Sequence, residues 1–180
     1  CQLSPSRLAM SLSEMHITSR HFAGARNFIA CIAFLFSAGA AMAETPAAYM
    51  QGVANELVAA SRTGSALSFC TALRSHADLP AIGLTALGSY ANRMSKTDRP
   101  AYYNGMVNWI ARYAAKEAPK YPVARAVVVG QSAGTGGITY VDTKVVLRDG
   151  STYDVRWTVV RRGTTYKVRE AEILMFQMTT

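Results

Sequence analysis

The hydrophobic period of this chain changes at Pro122, and that change constrains the fold more than any other feature. Before it, apolar residues recur every three or four positions; after it, they alternate. The stretch ITYVDTKVVLRDGSTYDVRWTVVRRGTTYKV reads as strands separated by Asp149-Gly150 and Arg162-Gly163, pairs that suit tight antiparallel turns. Val141, Thr143, Val145 and Leu147 share one face of one strand; Tyr153, Val155, Trp157 and Val159 share one face of the next. In the last strand Tyr166 and Val168 keep one phase, whereas Ala171, Ile173 and Met175 take the opposite one. A slip of one residue reverses the faces of a strand, so a bulge is expected near Arg169-Glu170. Arg125 to Gly130 is expected as a further strand, running into a glycine-rich loop that ends at Gly137.

The front half reads as helices. Pro46 suits a first turn, and Met50, Val53, Ala54, Leu57 and Val58 repeat at helical spacing up to about Ser61, with a break around Gly64. A short helix with Leu67, Cys70 and Leu73 on one face follows. Asp78 is placed to cap a third helix, with Pro80 in its first turn and Ile82, Leu84, Leu87 and Tyr90 as candidates for burial. Thr97 is placed to cap the longest helix, whose apolar stripe is Met106, Val107, Ile110 and Ala114. Helices followed by an antiparallel sheet make an α+β domain. Helices laid across the concave side of a curved sheet can enclose an apolar pocket.

The segment before Glu44 has a different character. Arg20, His21 and Arg26 precede an uncharged, mostly apolar run from Phe28 to Ala41, and Ala41-Met42-Ala43 has the small-x-small form of a cleavage site. Those three parts in that order describe a secretory signal peptide over residues 1–43, cleaved after Ala43. The run is too short for a membrane span, which needs about 18 residues or more. Removing it leaves a single domain, 44–180, and lowers the formal charge from +8 to +6. The expected destination is outside the cytoplasm, which argues against nucleic acid as a partner. The basic residues are scattered, so a solvated sheet face accounts for most of them.

Catalytic chemistry finds little to work with. VVVGQSAGTGG contains Gly-x-Ser-x-Gly around Ser132, the spelling of a serine-hydrolase elbow, but that elbow needs a helix after the serine. Here an alternating strand follows, and His16, His21 and His76 all precede Ser132. No catalytic residue is assigned. One histidine and one cysteine after the leader make no zinc site of the usual kind, and nothing calls for a cofactor.

The order of DLPAIGLTALGSYANRMSKTDRPAYYNGMVNWIARYAA, VVVG and YVDTKVVLRDGSTYDVRWTVVRRGTTYKVRE resembles the MlaC family, the toluene-tolerance or auxiliary component of ABC transporters. The resemblance runs from about Pro46 to the end of the chain. It is carried by Leu87-Gly88-x-Tyr90, Arg99-x-x-Tyr102, the strand at Val141, Asp149-Gly150, Trp157 and Gly163-x-x-Tyr166-Lys167-Val168. It implies a fold of helices on a curved, NTF2-like sheet. It also implies a periplasmic phospholipid-binding protein that carries lipid between an inner-membrane ABC transporter complex and an outer-membrane lipoprotein complex, maintaining outer-membrane lipid asymmetry. A hopanoid or other apolar ligand is the alternative cargo, with a Ser132 hydrolase the lesser one. Leu84, Leu87, Tyr90, Met106, Ile110, Val127, Val129, Val145, Val155 and Trp157 are the expected pocket lining. The chain departs from the family at Arg169 to Phe176, where relatives show Asp-Val and Gly-Val-Ser. Relatives also continue into C-terminal helices, so a chain ending at Thr180 is expected to be truncated.

Overall fold

The computed structural model describes residues 44–174; the expected leader and its cleavage site lie outside them. Four helices come first: α1 (Pro46–Thr63), α2 (Ala66–His76), α3 (Leu79–Leu87) and α4 (Arg99–Glu117). Four strands follow: β1 (Val123–Ala133), β2 (Ile138–Leu147), β3 (Thr152–Arg162) and β4 (Thr165–Leu174). They form one antiparallel meander in the order β1-β2-β3-β4. The fold is therefore α+β.

Local chemistry explains most boundaries. Thr45 caps α1, its Oγ1 accepting from Ala48 N, and Gly64 ends it at φ 61, a conformation that favours glycine. Gly150 and Gly163 close the last two hairpins at φ 88 and 62. Asp78 and Asp98 precede α3 and α4, yet neither side chain caps its helix. The expected cap Thr97 instead bonds Ser95, and the Asp78 carboxylate is taken up elsewhere, as described below.

The sheet bends where its register slips. Thr158 pairs with Glu170 and Val159 with Val168, so Arg169 is the extra residue of a bulge. The phase change in the sequence placed it there. A second slip, between Val128 and Gly130, makes Val129 the extra residue of β1. β1 also runs on through Ser132, opposite Tyr140, where the sequence suggested a loop.

Helix α1 sits between sheet and outer helices. Tyr49, Met50 and Val53 pack on Val141, Val159 and Val168. Ala60 joins Phe69 and Cys70 of α2 and Val107 and Ala111 of α4 in a second cluster, and Leu57 touches both. Leu67, expected on the buried face of α2, is 57% exposed, and Phe69 and Ala72 are buried instead. The α2 face is set by where α1 and α4 lie, which the spacing of three apolar residues does not reveal.

Both sheet edges are occupied. Along β1, Gln51 Nε2 donates to Ala126 O (3.0 Å), while Gln51 Oε1 accepts from Val128 N (2.9 Å). One amide side chain thus stands in for a neighbouring strand along part of a half-buried edge. At the other edge, Asp78 N donates to Val168 O at 2.8 Å, and Ala77 forms an isolated parallel bridge with Val168.

Candidate functional site

Between α1 and the inner sheet face lie two apolar cavities, of about 320 and 300 Å³. Each is at the lower end of the range of ligand cavities, roughly 300–1,000 Å³. The first is bounded by Ala54, Leu57 and Val58 of α1, Val123 and Ala126 of β1, Val145 of β2, Val155 of β3, and Ala171 and Ile173 of β4. The second lies toward α2 and α3, against Val53, Leu73, Ile82 and Val168. Leu57, Trp157 and Ala171 line both, so these three form the partition. Trp157 is held there: its Nε1 donates to Thr143 Oγ1 at 2.9 Å, and Thr143 is wholly buried.

The inner face follows from the pairing. Ala126 is opposite Val145 and Val128 opposite Thr143, so these residues point toward α1. Trp157 opposite Val141 and Val155 opposite Thr143 extend the same face onto β3. The bulge at Arg169 then turns Ala171 and Ile173 inward beside Val168, which a regular strand could not do. The bulge builds the cavity wall.

Val145, Val155 and Trp157 from the expected lining stand around these cavities. The others do not. Val127 lies opposite Lys144 on the outer face and Val129 is the bulge residue; they are 43% and 58% exposed. Three consecutive valines carry no alternation, so their phase could not be read from period alone. Tyr90 is 64% exposed with Arg93 over its ring at 5.4 Å. Leu84, Leu87, Met106 and Ile110 are half-buried on α3 and α4, outside both cavities. Those two helices meet at Gly83, where an added Cβ would come within 2.8 Å of the Tyr103 ring. The lining that sequence reasoning missed is chiefly on α1 and β4. The helical stripe Val53, Ala54, Leu57, Val58 was legible, but not the surface it faces.

The two cavities differ at their rims. The first is bounded by apolar residues and Thr143 alone, whereas His76, Arg169 and Glu170 border the second. Next to it, Asp78 accepts from Arg162 (2.7 Å) and from Arg169 (3.2 Å). Burial pushes the Asp78 carboxyl up, but the hydrogen bonds from the two arginines outweigh it and hold it below the usual carboxylate range. Two guanidiniums share this one carboxylate, and with Glu170 also at the border the rim carries charges of both signs. His76 Nε2 lies 2.9 Å from the Glu56 carboxylate, and Nδ1 lies 3.0 Å from the Tyr49 hydroxyl. A carboxylate only accepts, so on neutral His76 the Nε2–H donates to it and Nδ1 accepts from Tyr49. Burial, with Glu44 and Glu56 nearby, pushes the Tyr49 hydroxyl up to about 12.

This pattern has no nucleophile elbow in it. Ser132 is exposed in a hairpin strand, a turn and strand β2 follow it rather than a helix, and His76 is engaged with Tyr49 and Glu56. The motif spelled by the sequence is a strand and its turn, which removes the geometric basis of the hydrolase alternative.

The family model described as MlaC protein matches residues 59–174. The chain belongs to the MlaC family. Its match takes in α2, α3, α4 and the whole described sheet, and so every lining residue of the second cavity except Val53 and Leu57 of α1. The structure is also similar to that of a phospholipid-binding protein from Ralstonia solanacearum, solved in complex with a phospholipid. The TM-score is 0.59 at 15% sequence identity, over 72% of this chain and 78% of that one. At that identity the likeness is one of fold. Among curated proteins none matches this chain.

Proposed function

We propose that this MlaC-family protein binds a glycerophospholipid, with acyl chains in the two cavities and the phosphate beside Arg169 and His76 at the rim of the second. The observation that carries the reading is the pair of apolar cavities divided by Trp157. Burying each methylene is worth about 0.8 kcal/mol, so chains seated on both sides of the indole supply a large driving force with little polar chemistry. A divided site suits two flexible chains better than one rigid fused-ring hopanoid. The phospholipid-bound neighbour from Ralstonia solanacearum supports the choice of ligand.

The wider role follows from the family resemblance. The protein is a periplasmic shuttle, exported by its leader. It passes lipid between an inner-membrane ABC transporter complex and an outer-membrane lipoprotein complex, so maintaining outer-membrane asymmetry. It acts as a binding protein, not an enzyme. Incubation with vesicles carrying a fluorescent phospholipid, followed by separation, tests the binding step. Label moving with the protein is the expected result; label remaining wholly in the vesicles contradicts it.

A further inference from the structure

On the outer surface of α4, Trp109 and Tyr113 stack one helical turn apart, their rings 5.6 Å between centroids and 8° from parallel. They are 67% and 56% exposed, and Tyr121 just beyond the helix is 53% exposed. Isolated exposed aromatics are ordinary, but a coplanar stacked pair with a third ring close by is a surface. Tyr113 and Tyr121 are both within electrostatic reach of the Lys120 ammonium. Arg112 and Lys116 are exposed and share the helical spacing of the pair, at positions 109, 112, 113 and 116. The acid of this stretch, Glu117, is held by Lys120 at 2.8 Å. None of these residues lines the two cavities.

We propose that this face of α4 docks the protein on the surface of an anionic lipid bilayer. Trp and Tyr carry an apolar ring and a polar tip, which places them at headgroup level, and Arg and Lys reach phosphates beside them. The cationic excess is complementary to an anionic leaflet. Trp, Tyr and Arg are common at protein–protein interfaces too, but lysine is depleted there, and Lys116 and Lys120 beside the rings favour a bilayer over a protein partner. The surface stands on its own geometry, apart from the cavities, and would hold the protein at a bilayer while a membrane complex loads or unloads it.

The test uses the purified chain with vesicles of phosphatidylcholine alone and of phosphatidylcholine mixed with phosphatidylglycerol. Cosedimentation is expected with the mixed vesicles, weakening as salt is added. Of the two tryptophans, Trp157 stands in the cavity wall and reports lipid uptake, so protein already loaded with lipid is used, and the blue shift of emission on vesicle binding should vanish in Trp109→Phe. Arg112→Gln and Lys116→Gln should each weaken binding about fivefold, the effect of one basic residue near such a surface. Trp109→Ala/Tyr113→Ala should lose vesicle binding while its melting temperature and its content of co-purified lipid stay unchanged. Equal vesicle binding by that variant and the parent would overturn the proposal. So would no vesicle binding at any salt, an outcome that would leave the face to a protein partner.

Discussion

Trp157 Nε1 and Thr143 Oγ1 lie 2.9 Å apart, and this bond fixes the indole as the wall between two apolar cavities. Thr143 is fully buried and its hydroxyl also reaches Val155 O at 3.4 Å. Replacing it with valine keeps the shape and removes the acceptor. Thr143→Val should therefore cost about 1–3 kcal/mol in chemical denaturation, because the indole N–H is left unpaired. Indole emission should broaden as the ring loses its anchor. Unchanged stability would show that the bond does not hold the wall.

Gln51 offers a separate check on the helix–sheet join. Its amide serves both Ala126 O and Val128 N on the edge of β1. Gln51→Ala should lower stability by about 1–2 kcal/mol. It should also speed hydrogen exchange at the Val128 amide far more than at the sheet interior. Equal protection of Val128 in both proteins would count against the role given to Gln51.

Asp78 predicts a pH dependence. Its carboxyl is held below the ordinary 3.8 by Arg162 and Arg169, against the opposing effect of burial. A group with a depressed folded pKa stabilises the fold above its unfolded pKa, and that contribution is lost as pH falls through the folded value. Melting temperature should therefore decline as pH drops below about 3.8. Asp78→Asn should be less stable near neutrality and show a flatter acid limb. An identical acid limb in both proteins would place the titrating group elsewhere.

These residues also show what a sequence can reveal. The meander was legible because β2 and β3 alternate cleanly and Asp149-Gly150 and Arg162-Gly163 mark the turns. The bulge at Arg169 was legible because Val168 and Ala171 cannot share a face in a regular strand. The phase of Val127, Val128 and Val129 was not, since three like residues in a row look the same in either register. Nor was the fate of Asp78: a residue well placed to cap α3 is claimed by two arginines distant in sequence. One side of the cavity wall lies on α1, whose apolar stripe was plain but whose partner surface depends on tertiary packing.

The central claim is that the two cavities hold a phospholipid, and Ala171 gives the means to test it. Ala171 lines both cavities yet is exposed on β4, so a bulky residue there can fill the lumen without unfolding the core. Native mass spectrometry should be run on the parent protein and on Ala171→Trp, each purified from the periplasm of a bacterial host. The account predicts a bound phospholipid mass on the parent and its loss or marked decrease on the variant, with the delipidated proteins melting alike, since bound lipid itself raises the melting temperature. A parent protein carrying no lipid, and taking none up from added phospholipid, would contradict it.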